Sequence, residues 1–198
     1  MLYNIAMKRR FDLNWLLVPL LSIFAVAPLT QPGYFWGAHD ARHSVYFLVE
    51  FDRAIRDGVL YPRWMPDFNF GYGYPFFNIY SPGAFYLSEG LHLAGLDFVT
   101  ATKAIFALGL ILSGLAMYLY ARRLLGRNGG LVAAVAYVYI PYRLADIYVR
   151  GALAESWAFV FFPLALWAFH QLGDTPRPRY VAYGALALGG MVLAHYAL

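Results

Sequence analysis

Five apolar runs, at about 15–29, 99–120, 130–141, 154–172 and 180–198, constrain this chain more than any other feature of it. They make it 61% hydrophobic and only 13% charged over 198 residues, with a mean hydropathy of +0.52. A soluble domain is nearer about 45–50% apolar and about 25% charged. One core of this size cannot hide the excess, so a bilayer is the expected solvent, and inside a bilayer only helices and closed barrels satisfy their own backbone. A helix needs ~20 residues to cross hydrocarbon, so the 130–141 run must borrow from its flanks. The expected fold is an all-α integral membrane protein forming a single unit over 1–198. It has about five transmembrane helices, outer loops at 31–98 and 142–153, and interfacial helices within the first loop.

Lysine and arginine favour the cytoplasmic side. With the N-terminus inside, that side holds Lys8, Arg9, Arg10, Arg122, Arg123, Arg127, Arg177 and Arg179 against Asp12 and Asp174, a net +6. The opposite side holds seven bases against nine carboxylates, a net −2. The expected location is the bacterial cytoplasmic (inner) membrane, N-terminus cytoplasmic and main loop extracytoplasmic. The first run also resembles a signal peptide with a small-x-small site at Ala25-Val26-Ala27, but Pro28 would follow the cut, and the run is read as an uncleaved helix. The fifth run ends without a flanking anchor, which suggests the front part of a longer protein.

Cysteine is absent, so disulfides and thiolate-bound metals are excluded. No His-Glu-x-x-His, phosphate loop or Gly-x-Ser-x-Gly elbow occurs. The pI near 9.3 does not indicate nucleic acid, because no basic run exceeds Lys8-Arg9-Arg10.

Chemistry concentrates in the polar segments. The first loop is dense in Tyr, Phe, Trp, Pro and Gly, unlike a solvated linker. Within it, Val45, Phe47, Leu48, Phe51 and Ile55 fall among charges, and the 44–48–51–55 spacing predicts an amphipathic helix lying on the membrane. Asp40, flanked by His39 and His43, opens this helix. It is either an N-cap or a carboxylate for general-base work or divalent-metal binding. In the second loop Arg143, Asp146, Arg150 and Glu155 cluster. Ionisable groups beside spans pair with one another or mark a site. Arg150 either forks onto a phosphate or is satisfied by Asp146 or Glu155. The rings of Tyr61-Pro-Arg-Trp64 and Gly71-Tyr-Gly-Tyr-Pro-Phe-Phe77 serve as an interfacial belt, or stack on a sugar or line a lipid channel. His92, His170 and His195 read as packing residues.

A first helix followed by a large outer loop with an early Asp40 resembles the GT-C superfamily of polytopic glycosyltransferases. So do Gly58-x-x-Tyr-Pro-Arg-Trp64, Gly71-x-Gly-x-Pro75 and Tyr80-x-Pro82. The stretch from Tyr137-Val-Tyr-Ile-Pro-Tyr-Arg143 through Asp146-Ile-Tyr-Val-Arg-Gly151 to Glu155 is similar to the bacterial membrane family labelled "6-pyruvoyl-tetrahydropterin synthase-related". That soluble synthase is a zinc enzyme with a histidine cluster, which this chain lacks, so the GT-C implication is the stronger one. The resemblance implies an inverting transfer of a sugar from a polyprenyl-phosphate donor to an extracytoplasmic acceptor, in contact with membrane lipid and not with nucleic acid. By the resemblance Asp40 is catalytic; His43, Arg63, Arg143 and Arg150 bind substrate or phosphate; and Asp40, Asp146 and Glu155 hold a possible divalent metal, Mg or Mn. The first loop has no adjacent acidic pair, which departs from the family pattern. The family's later helices lie beyond residue 198, so this piece alone is expected to be inactive. The alternatives are a non-catalytic polyprenyl-lipid carrier or flippase, or a membrane scaffold.

Overall fold

The computed structural model describes residues 12–196; Lys8, Arg9, Arg10 and the last two positions of the fifth run lie outside the described residues. Every regular element among the described residues is helical, with one isolated extended pairing between Met65 and Tyr74. Helix α1 is Asn14–Val26, prolonged by a 3₁₀ turn at Ala27–Thr30. The first loop contributes α2 (Ala41–Arg56), a single turn α3 (Phe76–Ile79) and α4 (Gly83–Leu93). Then come α5 (Phe98–Tyr139), α6 (Pro141–Ala145), a π-turn at Asp146–Arg150, α7 (Leu153–Asp174) and α8 (Pro178–Ala194).

Two stretches are long and apolar enough to cross a membrane: Phe98–Arg150, mean hydropathy 2.0, and Leu153–Asp174, mean hydropathy 1.3. The first is not one rod. At Gly126 the backbone leaves the helical region (φ 71°, ψ −177°) and the chain reverses. A Cβ on Gly130 would sit 2.8 Å from the Arg122 backbone, and one on Gly114 2.8 Å from Val138, so 127–139 runs back along 98–125. This separates the second and third apolar runs of the sequence at the place where they were divided. Among the described residues two stretches of membrane length stand against the five expected spans, because α1 has 13 residues and α8 has 17. Large exposed apolar side chains lie on α1 (Leu16, Leu20, Phe24), α7 (Phe162, Phe169) and α8 (Leu186, Val192).

The bundle has two polar ends. At one, Asp12 accepts from the Tyr118 hydroxyl at 2.6 Å and from Arg122 at 3.2 Å, with Arg127 at 3.7 Å. Arg123 joins the end of α7 to this end through Asp174, at 2.6 Å. At the other end the first loop meets the 142–153 hairpin, and α4 begins against the end of α8, where Ser81 Oγ donates to the Val192 carbonyl at 2.9 Å.

The predicted amphipathic helix forms as α2, but its apolar stripe does not lie on lipid. Ala41, Ser44, Val45, Leu48, Phe51 and Ala54 are buried, and Leu48 and Phe51 enter one core with Phe85 of α4, Ala101, Ile105 and Phe106 of α5, and Leu153 and Trp157 of α7. The period was right and the partner was not: an apolar face finds equal relief in a neighbouring helix, and the neighbour here is protein. Asp97 starts α5 as an N-cap, accepting from the Thr100 amide at 3.0 Å. Gly114→Val should lower the thermal midpoint of the purified chain in detergent. The new methyls would force Val138 and Val18 apart, a clash of the kind that costs about 1–3 kcal/mol, read by circular dichroism melting.

Candidate functional site

Backbone contacts bring the first loop and the 142–153 hairpin together. The Asp40 amide donates to the Arg150 carbonyl at 2.6 Å, and the His39 amide to the Val149 carbonyl at 3.1 Å. Ser44 Oγ adds a bond to the Gly151 carbonyl at 3.3 Å. The approach requires Gly151: its φ is 73°, and a Cβ there would lie 2.6 Å from the Ala41 nitrogen. The π-turn preceding it ends on the Gly151 and Ala152 amides, both donating to the Asp146 carbonyl. Such turns are uncommon and frequently mark functional sites.

Asp40 occupies the N-cap position of α2, yet its side chain makes no cap bond. The carboxylate is instead half exposed, 3.7 Å from His43 Nδ1. Arg150 stands on the adjoining hairpin. A single nitrogen, Nη1, serves Asp146 Oδ1 at 2.9 Å, Glu155 Oε2 at 2.7 Å and the Tyr142 hydroxyl at 3.3 Å. Tyr142 in turn donates to Glu155 Oε1 at 2.5 Å. Asp146 is wholly buried, and its Oδ2 has no partner. Tyr80 reports the convergence: burial first, then the Asp40 and Glu155 carboxylates, push its phenol up to about 12.

Two carboxylates, Asp146 and Glu155, thus hold one guanidinium, and the Asp40 carboxylate lies on the adjoining segment. Among the described residues no three of His, Asp and Glu are arranged to hold a metal ion, so Asp40, Asp146 and Glu155 do not fit the expected metal site. The physical reason is that Arg150 Nη1 already stands between Asp146 and Glu155, where a cation would have to sit.

Two of the expected phosphate binders are placed elsewhere. Arg143 is wholly buried and points away from the cluster into the bundle, donating to Ser113 Oγ at 3.2 Å and the Gly109 carbonyl at 3.4 Å. Its guanidinium lies 4.4 Å from the centre of the Phe159 ring, while Nε and Nη1 have no partner. Its position on a short polar hairpin suggested the outer surface; α6 turns it inward. Arg63 is exposed over the Tyr61 ring at 5.8 Å and makes no ion pair among the described residues. Tyr142 and Tyr80 join the cluster, and no sequence signal separated them from the many other tyrosines.

A second buried acid was also missed. Glu89 of α4 is 3% exposed and neither oxygen has a partner. Burial and then the neighbouring Asp52 carboxylate push it from 4.5 up to about 7, with His92 and Arg56 pulling the other way. His92 itself packs on Phe98, rings 3.9 Å apart, as a packing residue would. His170 lies 3.6 Å from Asp174.

No family model and no solved structure matches the chain. A curated protein of Lactococcus lactis subsp. cremoris (strain MG1363), described as an uncharacterized protein, is 20% identical over 188 residues. Those residues are 91% of this chain but 30% of that relative, so the chain spans under a third of the curated protein it matches.

Gly151→Ala should destabilise the outer end by about 1–3 kcal/mol, since it imposes a left-handed backbone on a residue with a side chain. Faster amide exchange at residues 39–44 in hydrogen-exchange mass spectrometry would register it. Glu89 gives a pH signature. Its folded value lies above its ordinary one, so its contribution is whole below about 4.5 and is lost as pH rises through about 7. The thermal midpoint should therefore fall across that window, and Glu89→Gln should flatten the fall.

Proposed function

We propose that the chain is the membrane-embedded front of a GT-C-like glycosyltransferase, which passes a sugar from a polyprenyl-phosphate donor to an acceptor at the outer face of a bacterial cytoplasmic membrane. The observation that carries this is the Asp40–Arg150 backbone bond of 2.6 Å. It joins the segment that carries the Asp40 carboxylate, which makes no cap bond, to the hairpin that carries Arg150, and a base and a cation brought to one end of an apolar bundle are what such a transfer uses. The basic residues collected at the opposite end, Arg122, Arg123 and Arg127, support an orientation with the cluster outside. The exposed apolar side chains of α1, α7 and α8 support a lipid surround.

In this reading Asp40 accepts the proton of the acceptor hydroxyl as its oxygen attacks the anomeric carbon. The bond from that carbon to the phosphate oxygen breaks with inversion, and the electron pair leaves on the polyprenyl phosphate. Arg150 offers Nε and Nη2 to the departing phosphate, because only Nη1 is spent on Asp146, Glu155 and Tyr142. Those two carboxylates hold the guanidinium in place. Metal is assigned no part, and Arg143 and Arg63 are assigned no contact with phosphate.

The saturation of Arg150 Nη1 favours a second reading, a polyprenyl-lipid carrier or flippase, in which Asp40 performs no chemistry. Transfer from a polyprenyl-phosphate hexose labelled in the sugar, measured in membranes holding the intact protein, separates the two. Asp40→Asn should reduce turnover by about 10²–10⁴-fold, the usual contribution of a general base. Arg150→Ala should reduce it by about 10²–10³-fold. A protein that still moves labelled lipid across vesicles with Asp40→Asn but not with Arg150→Ala would be a carrier, and an unaltered protein that neither transfers sugar nor moves lipid would be a scaffold.

A further inference from the structure

One cleft lies outside the carboxylate cluster and adjoins it. It is open, with a volume of about 580 Å³, and lies between α2 and the loop that leads to α3. Pockets that bury small ligands run from about 300 to 1,000 Å³. The rings of Phe47 and Phe76, in contact at 4.1 Å between centroids, form one aromatic face of it. Four residues with polar groups line it as well: His43, Tyr46, Asn69 and Tyr74.

Its geometry is built rather than incidental. Asn69 and Phe70 are consecutive residues with positive φ, 55° and 59°, the only non-glycine cases among the described residues. Strain of this kind persists only where its surroundings impose it. Here the Met65 and Tyr74 backbones exchange bonds of 2.8 and 3.0 Å, and the Gly73 amide donates to the Phe68 carbonyl at 2.9 Å. An Arg53–Asp67 ion pair ties the loop back to α2. Gly71 and Gly73, at φ 87° and 79°, supply the remaining reversals, and Gly73 leaves room for the Trp64 indole.

We propose that this cleft is the seat of the acceptor, and that the acceptor is a pyranose sugar; this rests on the transferase reading above. A pyranose is the ligand class with an apolar C–H face for an aromatic wall and a rim of hydroxyls for scattered neutral donors and acceptors. A lipid tail would leave four polar groups against hydrocarbon without partners. A phosphate would find no arginine or lysine lining the cleft. The position suits the chemistry as well. His43 is stacked on Phe47 at 13° between ring planes and lies 3.7 Å from the Asp40 carboxylate, one helical turn away. A ring seated against Phe47 presents its edge to His43 and its nearest hydroxyl toward Asp40.

The test is direct binding, which needs no turnover. The full chain is placed in phosphatidylcholine nanodiscs prepared without sugar-headed detergent, and saturation-transfer NMR is run with methyl pyranosides of glucose, galactose, mannose and N-acetylglucosamine. Sorbitol, which has the hydroxyls but no ring, is the control. At least one pyranoside should receive saturation, strongest on the C–H protons of one ring face, and sorbitol should not. Asn69→Gly and Tyr46→Ala should each raise that pyranoside's dissociation constant by about tenfold or more, a loss of one good contact. Glycine is at ease at the Asn69 backbone angle, so that variant keeps the fold. Saturation of sorbitol equal to that of the pyranosides, or an affinity unchanged in both variants, would overturn the proposal. A protein that turns over donor yet saturates no pyranoside loses the sugar seat and keeps the transferase. One that binds the sugar but is indifferent to Asp40→Asn loses the transferase and keeps a sugar site.

Discussion

The end of the bundle that carries residues 39–44 and 146–155 depends on one close approach, the Gly151 backbone against Ala41 at the start of α2. Everything polar at that end is placed by it. The first loop enters with two backbone donors, from His39 and Asp40, and the hairpin supplies the carbonyls of Val149 and Arg150 to receive them. Because these bonds are made by backbone, they hold the two segments in register while leaving the Asp40 side chain uncommitted. Had Asp40 capped α2 with its own carboxylate, the helix would have gained about 1 kcal/mol. The backbone bonds of His39 and Asp40 leave that carboxylate half exposed instead.

Buried charge is the second constraint. Arg143, Asp146 and Glu89 each keep at least one polar atom without a partner in a dry setting. Buried polar groups are ordinarily paired, and exceptions call for an explanation. For Asp146 one oxygen holds Arg150, and the other has no partner. Arg143 is supported by the Phe159 ring, Ser113 and the Gly109 carbonyl, a set that orients the guanidinium without neutralising it. Glu89 escapes the cost by holding its proton to about neutral pH.

The aromatic loop then reads as one device. Its glycines reverse the chain, Trp64 fills the space above Gly73, and Asn69 and Phe70 carry backbone strain that ion pairing and a short antiparallel bridge impose. The result is a cleft with an aromatic face and His43 in its lining, while α2 turns its other face into the protein core.

How much of this was legible beforehand follows from the range of each interaction. Apolar periodicity and glycine and proline positions are local, so the helical class, the α2 helix from the 44–48–51–55 spacing, and the division of α5 near Gly126 could all be read along the chain. Charge asymmetry is a property of composition, so the grouping of Arg122, Arg123 and Arg127 at one end was legible too. The direction in which a side chain leaves a short turn was not. Arg143 and Arg150 are seven positions apart in one polar hairpin, yet a π-turn and α6 send one into the core and the other to Asp146 and Glu155. Nor could any local pattern show that Asp40, Tyr80 and Arg150, separated by as much as 110 residues, share one end of the bundle. That was decided by tertiary packing, because the backbone bonds and the glycine contact that join them lie between segments far apart in sequence.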